Sequence, residues 1–226
     1  QAPDASALHE TTRTLARQTG QTARYVELLE ALIAEAREGA GGPIVGGLYL
    51  QLGAVLEQDV HDPASAVKAY TAAEDTAEGD ALVSVWSALD RLYASLGDTR
   101  SQARVLRKLI DAEVGAPADA AYRLAKINLA SEEASTREEG LEWLAWALQR
   151  APDHARAAGM LKRAAEQFPS HEAVLSLYLD VAREANDPAM LLDVLVRRAA
   201  LADVALDGLR EAVDLAASLG DQPRSE

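Results

Sequence analysis

Apolar residues recur three or four positions apart along almost the whole chain. Leu48, Leu52, Val55 and Leu56, followed by Val67, Tyr70 and Ala73, show the spacing clearly. That period puts them on one face of an α-helix, whereas a half-buried strand would alternate every second residue. No stretch shows a convincing alternation of β-branched residues. The pattern predicts an all-α chain of about twelve helices, at 5–18, 22–38, 44–59, 64–77, 80–96, 99–114, 118–131, 136–150, 153–167, 171–185, 188–202 and 206–219.

The stops between helices share a chemistry. His61-Asp62-Pro63, Gly97-Asp98, Asn186-Asp187-Pro188 and Gly220-Asp221 read as one turn used four times. Gly or Asn closes a helix in the left-handed conformation. The Asp then accepts a backbone N–H of the next helix, and Pro suits its first turn. Asp62 and Asp98 are 36 residues apart, and Asp187 and Asp221 are 34 apart. That is the period of a helix-turn-helix repeat. The helix at 153–167 breaks the count. It is either a supernumerary half-repeat or the partner of 171–185.

The run Tyr49, Leu52-Gly53, Leu56, Ala66, Tyr70, Ala73 resembles the tetratricopeptide repeat signature. Trp86, Leu89, Tyr93 and Gly97-Asp98 resemble the first half of a second unit, and Leu124-Ala125 with Leu144, Ala147 and Pro152 resemble a third. The resemblance covers residues 44–152 and implies a right-handed α-solenoid of antiparallel helix pairs. In such stacks no pair buries its apolar face alone. Small residues at Gly53, Ala66 and Ala73 let backbones approach, and Tyr49, Tyr70, Trp86 and Tyr93 fill the space between pairs. The expected organisation is an N-terminal helix pair at 1–38, a Gly-rich joint at 39–47, three repeats at 44–152 and a less regular segment at 153–226. The end at Gln222–Glu226, where a second helix should begin, and the start at Gln1 read as a piece of a longer array.

Composition narrows the function classes. Of the 226 residues, 49% are hydrophobic but only 4% aromatic, which favours an elongated array over one compact core. Alanine makes up roughly a fifth of the chain, and it is the strongest helix former. The predominance of Arg over Lys, with so much Ala, suggests a GC-rich bacterial source. The formal net charge of -14 argues against nucleic acid, because the Arg residues are not clustered in sequence. The longest apolar run is far short of a bilayer span. There is no cysteine, so disulfides and thiolate chemistry are excluded; the compartment stays open, with the cytoplasm favoured.

No cofactor is expected and no metal site. Gly39, Gly41, Gly42, Gly46 and Gly47 lack the Lys-Ser/Thr of a phosphate loop and read as a flexible joint. His9, His61, His154 and His171 are not paired at ligand spacing. The pairs Glu132-Glu133 and Glu138-Glu139 flank a loop and a helix start, where the backbone dipole favours negative charge. Trp143 and Trp146 share a helix face and read as core between repeats rather than as an exposed anchor.

The resemblance further implies that the first helix of each pair lines a concave groove for an extended peptide or a partner helix. Carried over by position, that face is Gln51 and Gln58, Ser87 and Arg91, and Tyr122, Arg123 and Lys126. Three of these seven are basic in a strongly acidic protein, so the expected partner is an acidic peptide or a terminal carboxylate. The competing reading is that these cations make ordinary surface ion pairs, which contribute little. The expected function is a non-catalytic protein-protein interaction scaffold. The alternatives are a regulatory arm of a larger enzyme, and a module that self-assembles through its repeat ends into homo-oligomers.

Overall fold

A computed structural model of the chain describes residues 5–39 and 42–201. Among them every regular element is helical. The helices are α1 Ala5–Gln18, α2 Thr22–Gly39, α3 Gly42–Val55, α4 Pro63–Glu74, α5 Gly79–Leu96, α6 Thr99–Asp111, α7 Pro117–Leu129, α8 Ala134–Arg150, α9 His154–Gln167, α10 Glu172–Glu184 and α11 Pro188–Ala199. A π-helical turn, Leu56–Val60, extends α3. The expected helix at 206–219, the turn at Gly220-Asp221, the end at Gln222–Glu226 and Gly41 of the joint lie outside the described residues.

The chain forms two compact units, Gln1–Gly115 and Ala116–Glu226. In the first, α1 packs on α2, α3 on α4 and α5 on α6, and each pair leans on the next through α2 with α3 and α4 with α5. Helix α3 also reaches α5. Short turns joining packed neighbours make the pairs antiparallel, the architecture of an α-solenoid. Leu29, Val55, Tyr70, Val85, Leu89, Val105 and Leu106 are fully buried along this seam.

In the second unit α7 packs on α8, α9 on α10, and α10 on α11. Helix α9 lies against α7 as well, and α8 against α10, whereas α8 and α9 touch only sparsely. The 153–167 helix is therefore the first member of a pair with α10, not a helix without a mate. Leu124, Leu144, Leu161, Val174 and Leu175 form the core. Arg137 ties down the loop before α8: its Nη1 donates to the carbonyls of Ser131 and Glu132, both at 2.8 Å, and its guanidinium stacks on Phe168 at 3.9 Å.

The recurrent turn is built as its residues require. His61, Gly97 and Asn186 take positive φ of 61°, 72° and 50°. Asp62 accepts from Ser65 N, Asp98 from Ser101 N and Asp187 from Met190 N. Hydrogen bonds from the Ser65 and Ser101 side chains, and next from their backbone N–H groups, hold the Asp62 and Asp98 carboxyls below the usual aspartate value of 3.8. The stability they supply is complete above that value and is lost as pH falls through the lowered one. An Asp62→Asn/Asp98→Asn variant should lose the part of the acid-unfolding limb that lies below pH 4, measured by circular dichroism against the wild type.

Two features depart from the sequence pattern. Gly42, Gly46 and Gly47 belong to α3 rather than to a flexible joint. A Cβ on Gly46 would stand 2.5 Å from Ala77 N, so glycine there lets two backbones meet. The other is the π turn. Its extra residue makes Asp62 N bond to Leu56 O, six residues back, where Asp98 N bonds to Tyr93 O and Asp187 N to Ala182 O, five back.

Candidate functional site

In the first unit the π turn carries three polar side chains that organise the neighbouring helices. Glu57 takes both donors of Arg91, at 2.9 and 2.8 Å, and the Tyr70 hydroxyl at 3.0 Å. Burial and the Glu57 carboxylate push the Tyr70 phenol well above its ordinary range. Asp59 accepts from Arg13 Nε at 2.6 Å, and Gln58 accepts from Arg13 Nη2 at 3.0 Å. The Asp59 hydrogen bond is the main reason the Arg13 guanidinium is held above its usual value. Ser87, on α5, donates to the carbonyl of Val83 one turn back.

Gln51 lies on α3 beside α1. It lines a cavity of about 170 Å³ with His9, Glu10, Arg13, Tyr25 and the apolar Leu50, Ala54 and Val55. Its Oε1 is buried and accepts no hydrogen bond. The Tyr25 hydroxyl donates to the carbonyl of His9 at 3.3 Å.

In the second unit the expected residues separate. Tyr122 is buried at 3% exposure, its hydroxyl donating to Ala151 O at 2.8 Å and accepting from Asp153 N at 3.0 Å. It is a packing residue that fastens the start of α9, which corrects the groove assignment made from the sequence. Its neighbour Arg123 is about 100° further around the helix, so the two cannot share a face. Arg123 pairs with Asp119 one turn away at 3.0 Å. Lys126 is exposed on the rim of a cavity of about 190 Å³ between α7 and α9. Leu129, Ala130, Met160 and Ala164 form its floor, and Arg163 and Gln167 complete the rim. Arg163 donates through Nε to the carbonyl of Gly159 at 2.9 Å. Among the described residues no carboxylate lines this cavity.

Of the seven residues read from the sequence, the structure joins Gln58 and Arg91 through the π turn and sets Gln51 beside Arg13, which also holds Gln58. Lys126 lines the second cavity. Arg91 is neutralised by Glu57 and Arg123 faces Asp119, ion pairs of the kind the competing reading described. Arg13 and Arg163 were missed. Arg163 could have been found only with the pairing of its helix known.

The other candidates have structural roles. Trp143 and Trp146 are half-buried in an edge-to-face pair, centroids 6.2 Å apart, with Arg150 stacked 3.8 Å over Trp146. Glu139 accepts from Trp143 Nε1, and Glu133 accepts from Ser135 and Thr136 at the start of α8. His154 lies 3.2 Å from Glu184. Among the described residues no group of three or more His, Cys, Asp or Glu could hold a metal ion, and no helix is long and apolar enough to cross a membrane.

No family model matches the sequence, and no curated protein matches it. Among solved structures the chain is similar to nearly identical TPR-like repeats of a kinesin light chain from Podosopora anserina, with 18% identity, 79% of this chain and 93% of that chain covered, and a TM-score of 0.47. A glutamine-to-methionine variant of that protein gives 17% identity, 80% and 95% coverage and a TM-score of 0.47. A tetratricopeptide repeat protein from Parabacteroides merdae gives 14% identity, 94% and 86% coverage and a TM-score of 0.43.

Proposed function

We propose that this chain is a protein-interaction scaffold without chemistry of its own, and that α7 and α9 hold a carboxylate-bearing segment of a partner protein. The observation that carries the reading is the cavity between these helices. Lys126 and Arg163 stand at its rim over an apolar floor, and no acidic side chain among the described residues opposes them there. In a chain of net charge -14 such a place is uncommon. A carboxylate beside an apolar side chain fits both halves: the cations donate to the oxygens and the floor covers the apolar part.

The acidic-partner expectation thus keeps Lys126, leaves out Arg91 and Arg123, and adds Arg163. The test is capture of the partner from a lysate by the wild type and by Lys126→Glu/Arg163→Glu. Charge-assisted hydrogen bonds contribute about 1.5–3 kcal/mol, so about a ten- to hundredfold loss of affinity is expected. A charge-matched control, Arg100→Glu/Lys162→Glu, should retain the partner. Equal retention by both variants would remove the cavity from the reading.

A further inference from the structure

We infer that the cavity between α1 and α3 is a socket for a single alkylammonium group, the side chain of a lysine on the bound partner. The inference rests on the scaffold reading and adds the chemistry of a second contact, within the first unit. Its volume, about 170 Å³, lies below the roughly 300–1,000 Å³ of small-molecule sites, so it suits one side chain rather than a metabolite. Leu50, Ala54 and Val55 supply apolar lining for a methylene stem, and His9, Glu10, Arg13, Tyr25 and Gln51 supply the polar lining.

An unpaired acceptor and the charge of the site together indicate the head group. Arg13 gives Nε to Asp59 and Nη2 to Gln58 and the Ala54 carbonyl. The Tyr25 hydroxyl is given to the His9 carbonyl. Acceptors are left over around the cavity. Gln51 Oε1 is buried without a hydrogen bond, and no hydrogen bond or ion pair engages Glu10 among the described residues. Charge points the same way. Arg13 is matched by Asp59, which leaves the Glu10 carboxylate as the net charge of the site. An ammonium brings three donors and one positive charge. The terminal torsion of a glutamine is soft, so Oε1 can swing toward such a donor at little cost.

A purely structural residue at position 51 would not be a glutamine with an unpaired buried oxygen. The neighbouring inward positions of α3 are Leu48, Leu52 and Val55, and a leucine would remove the penalty of the orphaned acceptor.

The test is a titration of the full chain followed by NMR at the Gln51 side-chain amide and the Tyr25 backbone amide. The probe is Nα-acetyl-lysine N-methylamide, and Nα-acetyl-norleucine N-methylamide, which keeps the stem and lacks the amine, is the comparison. The lysine probe should give saturable shifts at both positions and the norleucine probe none. Glu10→Gln should weaken the response at least fivefold. Gln51→Leu should abolish it at Tyr25 while raising Tm by about 2–4 °C, because the unpaired acceptor is gone. Equal responses to both probes, no response to lysine, or a lower Tm for Gln51→Leu would each overturn the socket. The free probe reads the first unit independently of partner capture. A silent titration with Lys126/Arg163-dependent capture intact removes only the socket, and capture indifferent to Lys126 and Arg163 removes only the carboxylate contact between α7 and α9.

Discussion

Replacing Arg13 by alanine is expected to destabilise the first unit by about 3–5 kcal/mol, seen as a lower midpoint in urea. The Asp59 side chain is 3% exposed and its carboxylate lies 2.6 Å from Arg13 Nε, whose own side chain is 19% exposed. Removing the guanidinium leaves a charge out of water with no counter-charge, and also releases Gln58 and the Ala54 carbonyl. Ala16 is the buried apolar residue of α1, while Leu8 and Leu15 stand in solvent at 56% and 58% exposure. The partner experiment is Arg13→Met with Asp59→Leu. Replacing both charges by apolar groups of similar size should recover most of the loss. A single Arg13→Ala variant within about 1 kcal/mol of the wild type would mean that the pair behaves like an exposed one.

The second large effect is expected at Gly53. A Cβ at that position would stand 2.6 Å from Tyr70 Cε1. The ring cannot retreat: Tyr70 is 2% exposed and its hydroxyl is anchored on Glu57, which also holds Arg91. Gly53→Leu must part α3 from α4, at a cost of about 1–3 kcal/mol or more. Gly47 gives the internal control, because nothing lies within 4 Å of a Cβ there. Gly47→Ala should stabilise the same helix by about 0.5–1 kcal/mol, since alanine loses less backbone entropy than glycine. Thermal melts of the two variants should therefore move in opposite directions.

These sites show how much the sequence could tell. The close packing at Gly53 was legible because the repeat signature places a small residue there, although what meets it is the Tyr70 ring rather than a second backbone. The capped turns were legible for a similar reason. Each uses a residue tolerant of positive φ and then an Asp, and both signals are local in the chain. The π turn was not legible. One extra residue inside a helix shifts side chains by about a quarter-turn without breaking an apolar pattern, and Glu57-Gln58-Asp59 looks like any solvated stretch. Its consequences, the Arg13 and Arg91 pairs, depend on contacts 46 and 34 residues away in sequence.

The candidate site was half legible. Lys126 was read from the sequence as lining a groove, and it lines the cavity between α7 and α9. Tyr122 was misread, because carrying a face over from a family pattern does not distinguish adjacent residues that point about 100° apart. Arg163 was hidden by the uncertain pairing of its helix. Gly46 misled for another reason: glycine reads as a joint, yet here it serves a close approach between α3 and residues 76–77.

The most direct measurement of the central claim is amide hydrogen exchange of the full chain with and without its captured partner. A scaffold that grips a carboxylate between α7 and α9 predicts slowed exchange at 126–130 and 160–167, lost again in Lys126→Glu/Arg163→Glu. A partner that leaves those segments unchanged while protecting others would contradict it.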